Sequence, residues 1–255
     1  MLRYGSVPYL NARPLLEGLE AEVGPLRYAV PGVLAGLLRD AELDVALAPV
    51  VASFDDPSLV LVPAAAVVAH GPVKSVLLFL RCPIEEVRSV GLDISSRTSA
   101  SLVRVLFEHR WGSAPSFEMR ASDPDLSHLE QDAALLIGDP ALNATWSGAP
   151  PVDLGEAWFT WTGLPFVFAA WLARDQKFAD ASAPALIRAA ERGRANLDAI
   201  AAEGAQQLGL EQAAVRRYLR EHLVFHYDER EEAGLARFRE LWLRTPGLGL
   251  PPRDG

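Results

Sequence analysis

The first 55 residues alternate strand-like and helix-like segments with short connections, and this alternation restricts the fold more than any other feature of the chain. Residues 2–7, 26–30 and 44–48 are short, mostly apolar runs of strand length. Residues 31–39, between the second and third runs, carry valine and leucine at helical spacing. Because parallel strands need crossover connections, usually helices, this pattern predicts a parallel α/β sheet.

A second α/β cycle follows. Residues 90–92 and 133–137 have the apolar character of buried strands, and residues 99–111 between them have helical spacing. Two further extended runs, 73–81 and 166–174, separate the cycles and are interpreted as strands that cross between two lobes. This pattern predicts a bilobal, type II periplasmic-binding-protein-like fold, which closes on a ligand by hinge motion. The structural alternative is a single doubly wound domain.

The predicted lobe bounds follow from these two crossing strands. Residues 1–80 together with the helix-rich end, 175–255, are expected to form the first lobe, and residues 81–174 the second. A chain of 255 residues is long enough for two modest cores of this kind.

Composition restricts the class of partner. The net charge is −9 and the isoelectric point about 5.1, which argues against nucleic acid and anionic membranes as partners. A small anionic substrate remains possible, because the local field of a pocket can oppose the net charge. The single cysteine, Cys82, excludes an internal disulfide. No secretory signal or membrane-spanning run is visible, so a cytoplasmic location is expected.

The first candidate site is the stretch Ser-Val-Pro-Tyr-Leu-Asn-Ala-Arg-Pro-Leu at residues 6–15. Pro8 ends the first strand because it cannot donate to a ladder, and a helix is expected to begin near Pro14. Tyr9 and Asn11 would then lie at the carboxyl end of a strand, where open α/β sheets bind ligands. The alternative interpretation is that Asn11 only caps the helix and Tyr9 only packs.

The strongest local signal is Asp-Ile-Ser-Ser-Arg-Thr-Ser at residues 93–99, between a strand and a helix. Free backbone N–H groups at a helix start, surrounded by the hydroxyls of Ser96, Thr98 and Ser99, favour a carboxylate or phosphate. Arg97 could add a bidentate contact to a carboxylate. The alternative is ordinary helix capping by Ser95 or Ser96.

Two further pairs of residues are candidates by position. Lys74 and Ser75 begin the first crossing, where both lobes could reach a ligand. Gly138 and Asp139 follow a buried strand, although Asp139 could serve only as a helix cap.

Recognised catalytic and cofactor motifs are missing from the chain. It has no Gly-rich phosphate loop at a strand end, no Cys-x-x-Cys pair and no Gly-x-Ser-x-Gly elbow. His222 and His226, four residues apart, are interpreted as a solvated surface pair. We therefore expect neither a zinc site nor a dinucleotide cofactor.

Several motifs together resemble those of one family. They are residues 7–15 (Val-Pro-Tyr-Leu-Asn-Ala-Arg-Pro-Leu), 44–50 (Asp-Val-Ala-Leu-Ala-Pro-Val), 71–76 (Gly-Pro-Val-Lys-Ser-Val), 95–99, 137–142 (Ile-Gly-Asp-Pro-Ala-Leu) and 161–166 (Trp-Thr-Gly-Leu-Pro-Phe). The set resembles the chorismate dehydratase family of the futalosine pathway of menaquinone biosynthesis. The likeness covers about residues 1–175, and the C-terminal helices match only in character. Pro8 stands where many relatives have serine or another small polar residue.

The resemblance implies a binding-protein fold used as an enzyme, a carbon–oxygen lyase that removes water from chorismate without a cofactor. The implied product is 3-[(1-carboxyvinyl)oxy]benzoate. By analogy with the family, Asn11 and Ser75 are expected to be catalytic. The expected substrate-binding residues are Tyr9, Ser96, Arg97, Thr98, Ser99, Gly138 and Asp139.

The alternative function is that of a solute-binding protein of the same fold, which would hold a small carboxylate without turnover. In either case the partner is a small anion, chorismate for the enzyme. A homodimer is possible.

Overall fold

The computed structural model describes residues 2–248. The strands are β1 (Tyr4–Ser6), β2 (Leu26–Tyr28), β3 (Val45–Pro49), β4 (Val60–Ala69), β5 (Val76–Leu80), β6 (Ser89–Asp93), β7 (Ser116–Arg120), β8 (Ala133–Ile137), β9 (Val152–Asp153) and β10 (Phe166–Ala173). The helices are α1 (Leu19–Val23), α2 (Pro31–Arg39), α3 (Ala52–Asp55), α4 (Arg97–Leu106), α5 (Gly138–Leu142), α6 (Leu154–Thr162), α7 (Gln176–Ala195), α8 (Leu197–Leu208), α9 (Gln212–Arg217) and α10 (Glu229–Arg244). A 3₁₀ turn at Leu10–Leu15 and a π turn at Tyr218–His222 also contribute to the site.

The strands form two five-stranded sheets. The first has the order β2-β1-β3-β10-β4, with β1 parallel to β2 and β3, and β10 antiparallel to both of its neighbours. The second has the order β7-β6-β8-β5-β9, with β6 parallel to β7 and β8, and β5 antiparallel to both of its neighbours. We call the parts built on these sheets the first and the second lobe. Two separate sheets confirm the bilobal α/β prediction and exclude a single doubly wound sheet.

The lobe bounds need correction at two strands. The expected bounds put β5 in the first lobe and β10 in the second, but β5 pairs with β8 and β10 pairs with β3. The chain therefore crosses between the sheets at residues 70–75 and again at 163–165. An apolar extended run specifies a strand but not its partner, since the partner depends on contacts far along the chain. Residues 249–255 of the expected first lobe lie outside the described residues.

A buried carboxylate joins the three central strands of the first sheet at one end. Asp44, just before β3, accepts hydrogen bonds from the Arg3 backbone and guanidinium and from Arg174 Nη2, all at 2.8 to 3.0 Å. The Arg3 guanidinium holds the pKa of this carboxyl well below its usual range, with Arg174 adding to the effect. These contacts join the starts of β1 and β3 to the end of β10.

Aromatic side chains fill the core where α6 and α10 meet β10. Trp158, Phe166 and Phe238 are buried and contact one another at ring-centroid distances of 4.8 to 5.9 Å. This packing fixes the second crossing, which lies between Trp158 and Phe166. No helix within residues 2–248 has both the length and the apolar character needed to cross a membrane.

Candidate active site in the cleft between the sheets

The carboxyl ends of strands from both sheets face one cleft. Tyr9 follows β1 and Pro49 ends β3, while Ser96 follows β6 and Gly138 follows β8, and all four line a common cavity. Ligands of open α/β sheets bind at this end of the strands. The topology therefore brings the two separate sequence motifs, around Tyr9 and around Ser96, to one place.

The cleft cavity is small and mostly apolar. Its volume is about 60 Å³, which is room for a few water molecules. Its polar side chains are those of Tyr9, Asn11, Ser75, Ser96 and Ser99. The other lining residues are Val7, Pro31, Leu47, Ala48, Pro49, Val67, Val73, Val76, Ile137, Gly138, Phe168 and Ala169. The lobes are thus nearly closed on each other.

The 3₁₀ turn after β1 positions Tyr9 and Asn11. Tyr9 occupies the N-cap position without a side-chain cap, and Asn11 is the second residue of the turn. The capping interpretation of Asn11 is therefore wrong, because the helical turn starts before it. The Tyr9 ring lies against Gly138 of the opposite lobe, where an added Cβ would be 3.5 Å from the ring. Burial raises the pKa of Tyr9, and a hydrogen bond with Ser95 partly opposes this rise.

Ser75 is fully buried in the first crossing and is held from three directions. Its carbonyl oxygen accepts from Gly138 N at 2.7 Å, which ties it to the second sheet. Its hydroxyl accepts from the Tyr218 hydroxyl at 2.8 Å. The third support is Asp153, whose carboxylate accepts from the N–H groups of Val73 and Lys74 at 3.0 and 2.8 Å. The cleft thus contains a serine hydroxyl with little freedom to move.

Tyr218 is the functional candidate that sequence reasoning missed. It is 4% exposed, and burial raises the pKa of its hydroxyl well above the usual value, so it stays protonated. The side chains of Ser75 and Asn11 each partly oppose this rise. The Tyr218 hydroxyl is therefore close to both predicted catalytic residues, although Tyr218 is 143 residues from Ser75. Nothing in its local sequence distinguishes it from a packing tyrosine on a helix.

The sequence analysis also missed Asp153, although its position directly before a helix predicts part of its role, that of a helix cap. It caps α6 by accepting from Glu156 N at 3.1 Å, as expected for an aspartate directly before a helix. The same carboxylate holds the first crossing, where Lys74 has a positive φ of 62°. Since a non-glycine residue in this region is strained, the Asp153 contact helps to keep the backbone beside Ser75 in place.

The polar segment 93–99 divides into two groups of residues. Ser96 caps α4 by accepting from Ser99 N at 3.2 Å, so the capping interpretation is confirmed for Ser96. Ser96 and Ser99 also line the cleft cavity. Capping and cavity lining are therefore compatible at these two serines.

Arg97 and Thr98 do not line the cavity. Arg97 Nη2 lies 2.6 Å from Asp55 Oδ2, in an ion pair that spans the two lobes. Thr98 is buried, and its hydroxyl has no hydrogen-bond partner among residues 2–248. The structure therefore separates these two predicted substrate-binding residues from Ser96 and Ser99.

Asp139 links the lobes and does not line the cavity either. Its Oδ1 accepts from Leu10 N at 3.2 Å, across the cleft. Burial raises the pKa of this carboxyl, and the Leu10 N–H partly opposes the rise. The capping interpretation of Asp139 is wrong, because Ile137 is the N-cap of α5 and Asp139 lies in the first turn.

The cleft suits an anion better than a cation. Its lining residues include no histidine, cysteine or carboxylate within the described chain, so this cavity offers no usual metal ligand. It does offer three serine hydroxyls, one amide and the N-terminus of α4, all able to donate hydrogen bonds. An apolar ring bearing carboxylates would match this combination.

Two sheets, two crossings and a cleft between them define the class of two-lobed binding-protein folds, and solved structures agree. Protein AF1704 from Archaeoglobus fulgidus has a TM-score of 0.74 at 16% identity, covering 94% of this chain and 96% of that one. The periplasmic aliphatic sulphonate binding protein SsuA from Escherichia coli has a TM-score of 0.62 at 15% identity, covering 97% and 94%. At such identities the likeness concerns the fold alone.

The chain belongs to the menaquinone biosynthesis family, whose model matches residues 2–243. It is also similar to a chorismate dehydratase from Thermus thermophilus, with 32% identity over 265 residues. That alignment covers 95% of this chain and 93% of the relative. The family resemblance noted in the sequence is therefore confirmed.

Proposed function

We propose that this protein is a chorismate dehydratase, a carbon–oxygen lyase of menaquinone biosynthesis. The observation that carries the proposal is that Asn11 and Ser75 line one closed, mostly apolar cleft, with the buried Tyr218 hydroxyl hydrogen-bonded to Ser75 behind them. The Thermus thermophilus relative, which carries that name, supports it.

The reaction removes the ring hydroxyl and one ring hydrogen of chorismate. The C–O bond breaks with its electron pair, the hydrogen leaves as a proton, and the hydroxyl departs as water. The ring becomes aromatic, so the driving force is large. The enzyme then mainly needs to position the substrate and stabilise charge at the departing oxygen.

The polar groups of the cleft have complementary roles in this proposal. Ser96, Ser99 and the N-terminus of α4 hold one substrate carboxylate. Tyr218 donates to Ser75, which leaves the proton of Ser75 free to be donated to the departing hydroxyl. The Asn11 amide donates from the same side. None of these groups is a good base unaided, and the ring proton goes to a substrate carboxylate or to bound water.

Substrate entry requires the lobes to separate. A cavity of about 60 Å³ is too small for a ring bearing two carboxylates. The interlobe contacts of Arg97 with Asp55 and of Asp139 with Leu10 would break on opening and re-form on closure. In this scheme Arg97 and Asp139 stabilise the closed arrangement of the lobes. Tyr9 and Gly138, which contact each other across the cleft, border its entrance.

The alternative remains a solute-binding protein that holds a small carboxylate without turnover. The fold shared with sulphonate-binding proteins is compatible with it. A cytoplasmic location and a homodimer both stay predictions.

One assay tests the proposed function. The purified protein is mixed with chorismate, and product is followed by its aromatic absorbance and by the mass loss of one water. We expect turnover, and we expect Ser75→Ala and Asn11→Ala each to lower kcat by about 100-fold or more. The matched control is Ser127→Ala at an exposed serine of the second lobe, which should keep full activity.

Two results would count against this assignment. Saturable chorismate binding without product would favour the solute-binding alternative. Normal turnover in both alanine variants would remove Asn11 and Ser75 from the mechanism.

A further inference from the structure

A second group of ligand-type side chains lies outside the cleft, behind the first crossing. His70 directly follows β4, His226 precedes α10, and Glu231 lies in the first turn of α10. One donor atom from each of these residues lies within 4.8 Å of the other two. Two imidazoles and a carboxylate are a ligand set typical of divalent transition metals.

Glu231 is the fixed member of this group. Its side chain is fully buried, and its Oε2 accepts from Asp228 N at 3.2 Å. This contact completes a capping box at the start of α10, so helix formation itself holds the carboxylate in place. A carboxylate in the interior needs a cationic partner or strong hydrogen bonds.

Both imidazoles point at this carboxylate from the solvent side. His70 Nε2 lies 2.5 Å from Glu231 Oε1, and His226 Nε2 lies 3.7 Å from Glu231 Oε2. Asp228 Oδ2, 3.4 Å from His226 Nε2, is a possible fourth ligand. The two histidine side chains are 29% and 46% exposed, so an ion can enter from water and keep water ligands.

We propose that His70, His226 and Glu231 bind a divalent metal ion of the zinc class. Metal–ligand distances of about 2.0 to 2.2 Å place tetrahedral ligand atoms roughly 3.4 Å apart. The His70–Glu231 contact must therefore open by about 1 Å and the His226–Glu231 contact must close slightly, which side-chain rotation allows. Without the metal, His70 Nε2 and Glu231 Oε1 stay in hydrogen-bond contact.

The ion would join two parts of the chain that already touch. Val68 and Val224 form an isolated backbone bridge just before His70 and His226 respectively. A metal here would tie the start of the first crossing to α10. It would therefore stabilise the fold without entering the cleft. The sequence-based expectation of no metal, with His226 paired to His222, would need revision, because His226 faces Glu231 instead.

The test uses full-length protein treated with a chelator and then titrated with ZnCl₂ by calorimetry, and with CoCl₂ by visible absorption. We expect saturable binding of one ion, and a higher Tm in its presence. Even ligand-supporting residues contribute about 10- to 100-fold in affinity, so His226→Ala and Glu231→Gln should each lose at least that much. If Glu231→Gln folds poorly, the His226→Ala variant still tests the proposal, because His226 is exposed and its replacement should not disturb folding.

Controls at other histidines separate this site from adventitious binding. We expect the His128→Ala and His222→Ala variants to bind zinc like the unmodified protein. His128 is exposed and lies in the second lobe. Absence of saturable binding would overturn the proposal. So would equal zinc affinity in His226→Ala, or a loss of affinity in His222→Ala as large as in His226→Ala.

Discussion

The hydroxyl of a buried tyrosine is hydrogen-bonded to a serine of the cleft. The Tyr218 hydroxyl donates to Ser75 Oγ at 2.8 Å, so the serine proton is free to face the cleft. Burial raises the pKa of Tyr218, and the phenol remains a donor throughout the usual pH range. In the proposed elimination, Ser75 would use that proton to donate to the departing oxygen.

Replacing Tyr218 by phenylalanine tests this arrangement. Tyr218→Phe keeps the ring that packs in the core but removes the hydrogen bond to Ser75. We expect kcat to fall by about 10- to 100-fold with little change in KM, since one hydrogen bond acting in the transition state is lost. Steady-state kinetics with chorismate measure both constants.

The matched control is Tyr227→Phe. Tyr227 is partly buried near the start of α10, where burial raises its pKa to about 12, and its charged neighbours are Glu231 and Glu232 rather than groups of the cleft. It should keep its kcat. An unchanged kcat in Tyr218→Phe would mean that Ser75 is oriented by other groups.

At the scale of elements, helix α7 positions the turn that carries Tyr9 and Asn11. Gly193 of α7 lies directly against the backbone carbonyl of Pro14, and an added Cβ would fall far inside van der Waals contact with it. Arg192 adds a hydrogen bond from Nε to the Glu17 carbonyl oxygen at 2.9 Å. The close approach of helix and turn therefore depends on a glycine at position 193.

The Gly193→Ala substitution should push helix α7 away from the 3₁₀ turn at Leu10–Leu15. We expect it to lower the free energy of unfolding by about 1 to 3 kcal/mol, because backbone atoms must move to admit the methyl group. It should also lower kcat, since Asn11 moves with the turn. Chemical denaturation and chorismate turnover measure the two effects.

A helical glycine with free space serves as the comparison. In Gly36→Ala the new methyl group would meet only a side-chain atom 3.9 Å away, so helix propensity should stabilise that variant slightly. Equal stability in both variants would contradict the proposed close packing at Gly193.

For the whole molecule, two polar contacts join the lobes across the cleft. The Arg97–Asp55 ion pair and the Leu10–Asp139 hydrogen bond both join residues of different lobes. Arg97 is 42% exposed and Asp55 30% exposed, so solvent screens their ion pair. Such a pair is worth at most about 1 kcal/mol, so the proposed opening of the lobes would break it at little free-energy cost.

A comparison of two variants distinguishes closure from direct substrate binding. If Arg97 acts through Asp55, Arg97→Ala and Asp55→Ala should raise KM equally, by about fivefold or less, and the double variant should add little. Steady-state kinetics of the three variants provide the measurement. A much larger KM in Arg97→Ala alone would restore the sequence-based expectation that Arg97 binds a substrate carboxylate.

The sequence by itself determined the α/β class, the two lobes and the family. These depend on local alternation of strands and helices and on short motifs, which can be read within windows of about ten residues. The same motifs identified Asn11 and Ser75 and the cap at Ser96, all of which line the cleft cavity.

Only the tertiary structure decided which distant groups meet. It joined Tyr218 to Ser75, paired Arg97 with Asp55 across the lobes, and assigned β5 and β10 to their sheets. Such contacts depend on the packing free energy of the whole chain, because residues separated by scores of positions meet only when both lobes have folded. A local sequence pattern does not determine this packing free energy, so it cannot predict which distant residues meet.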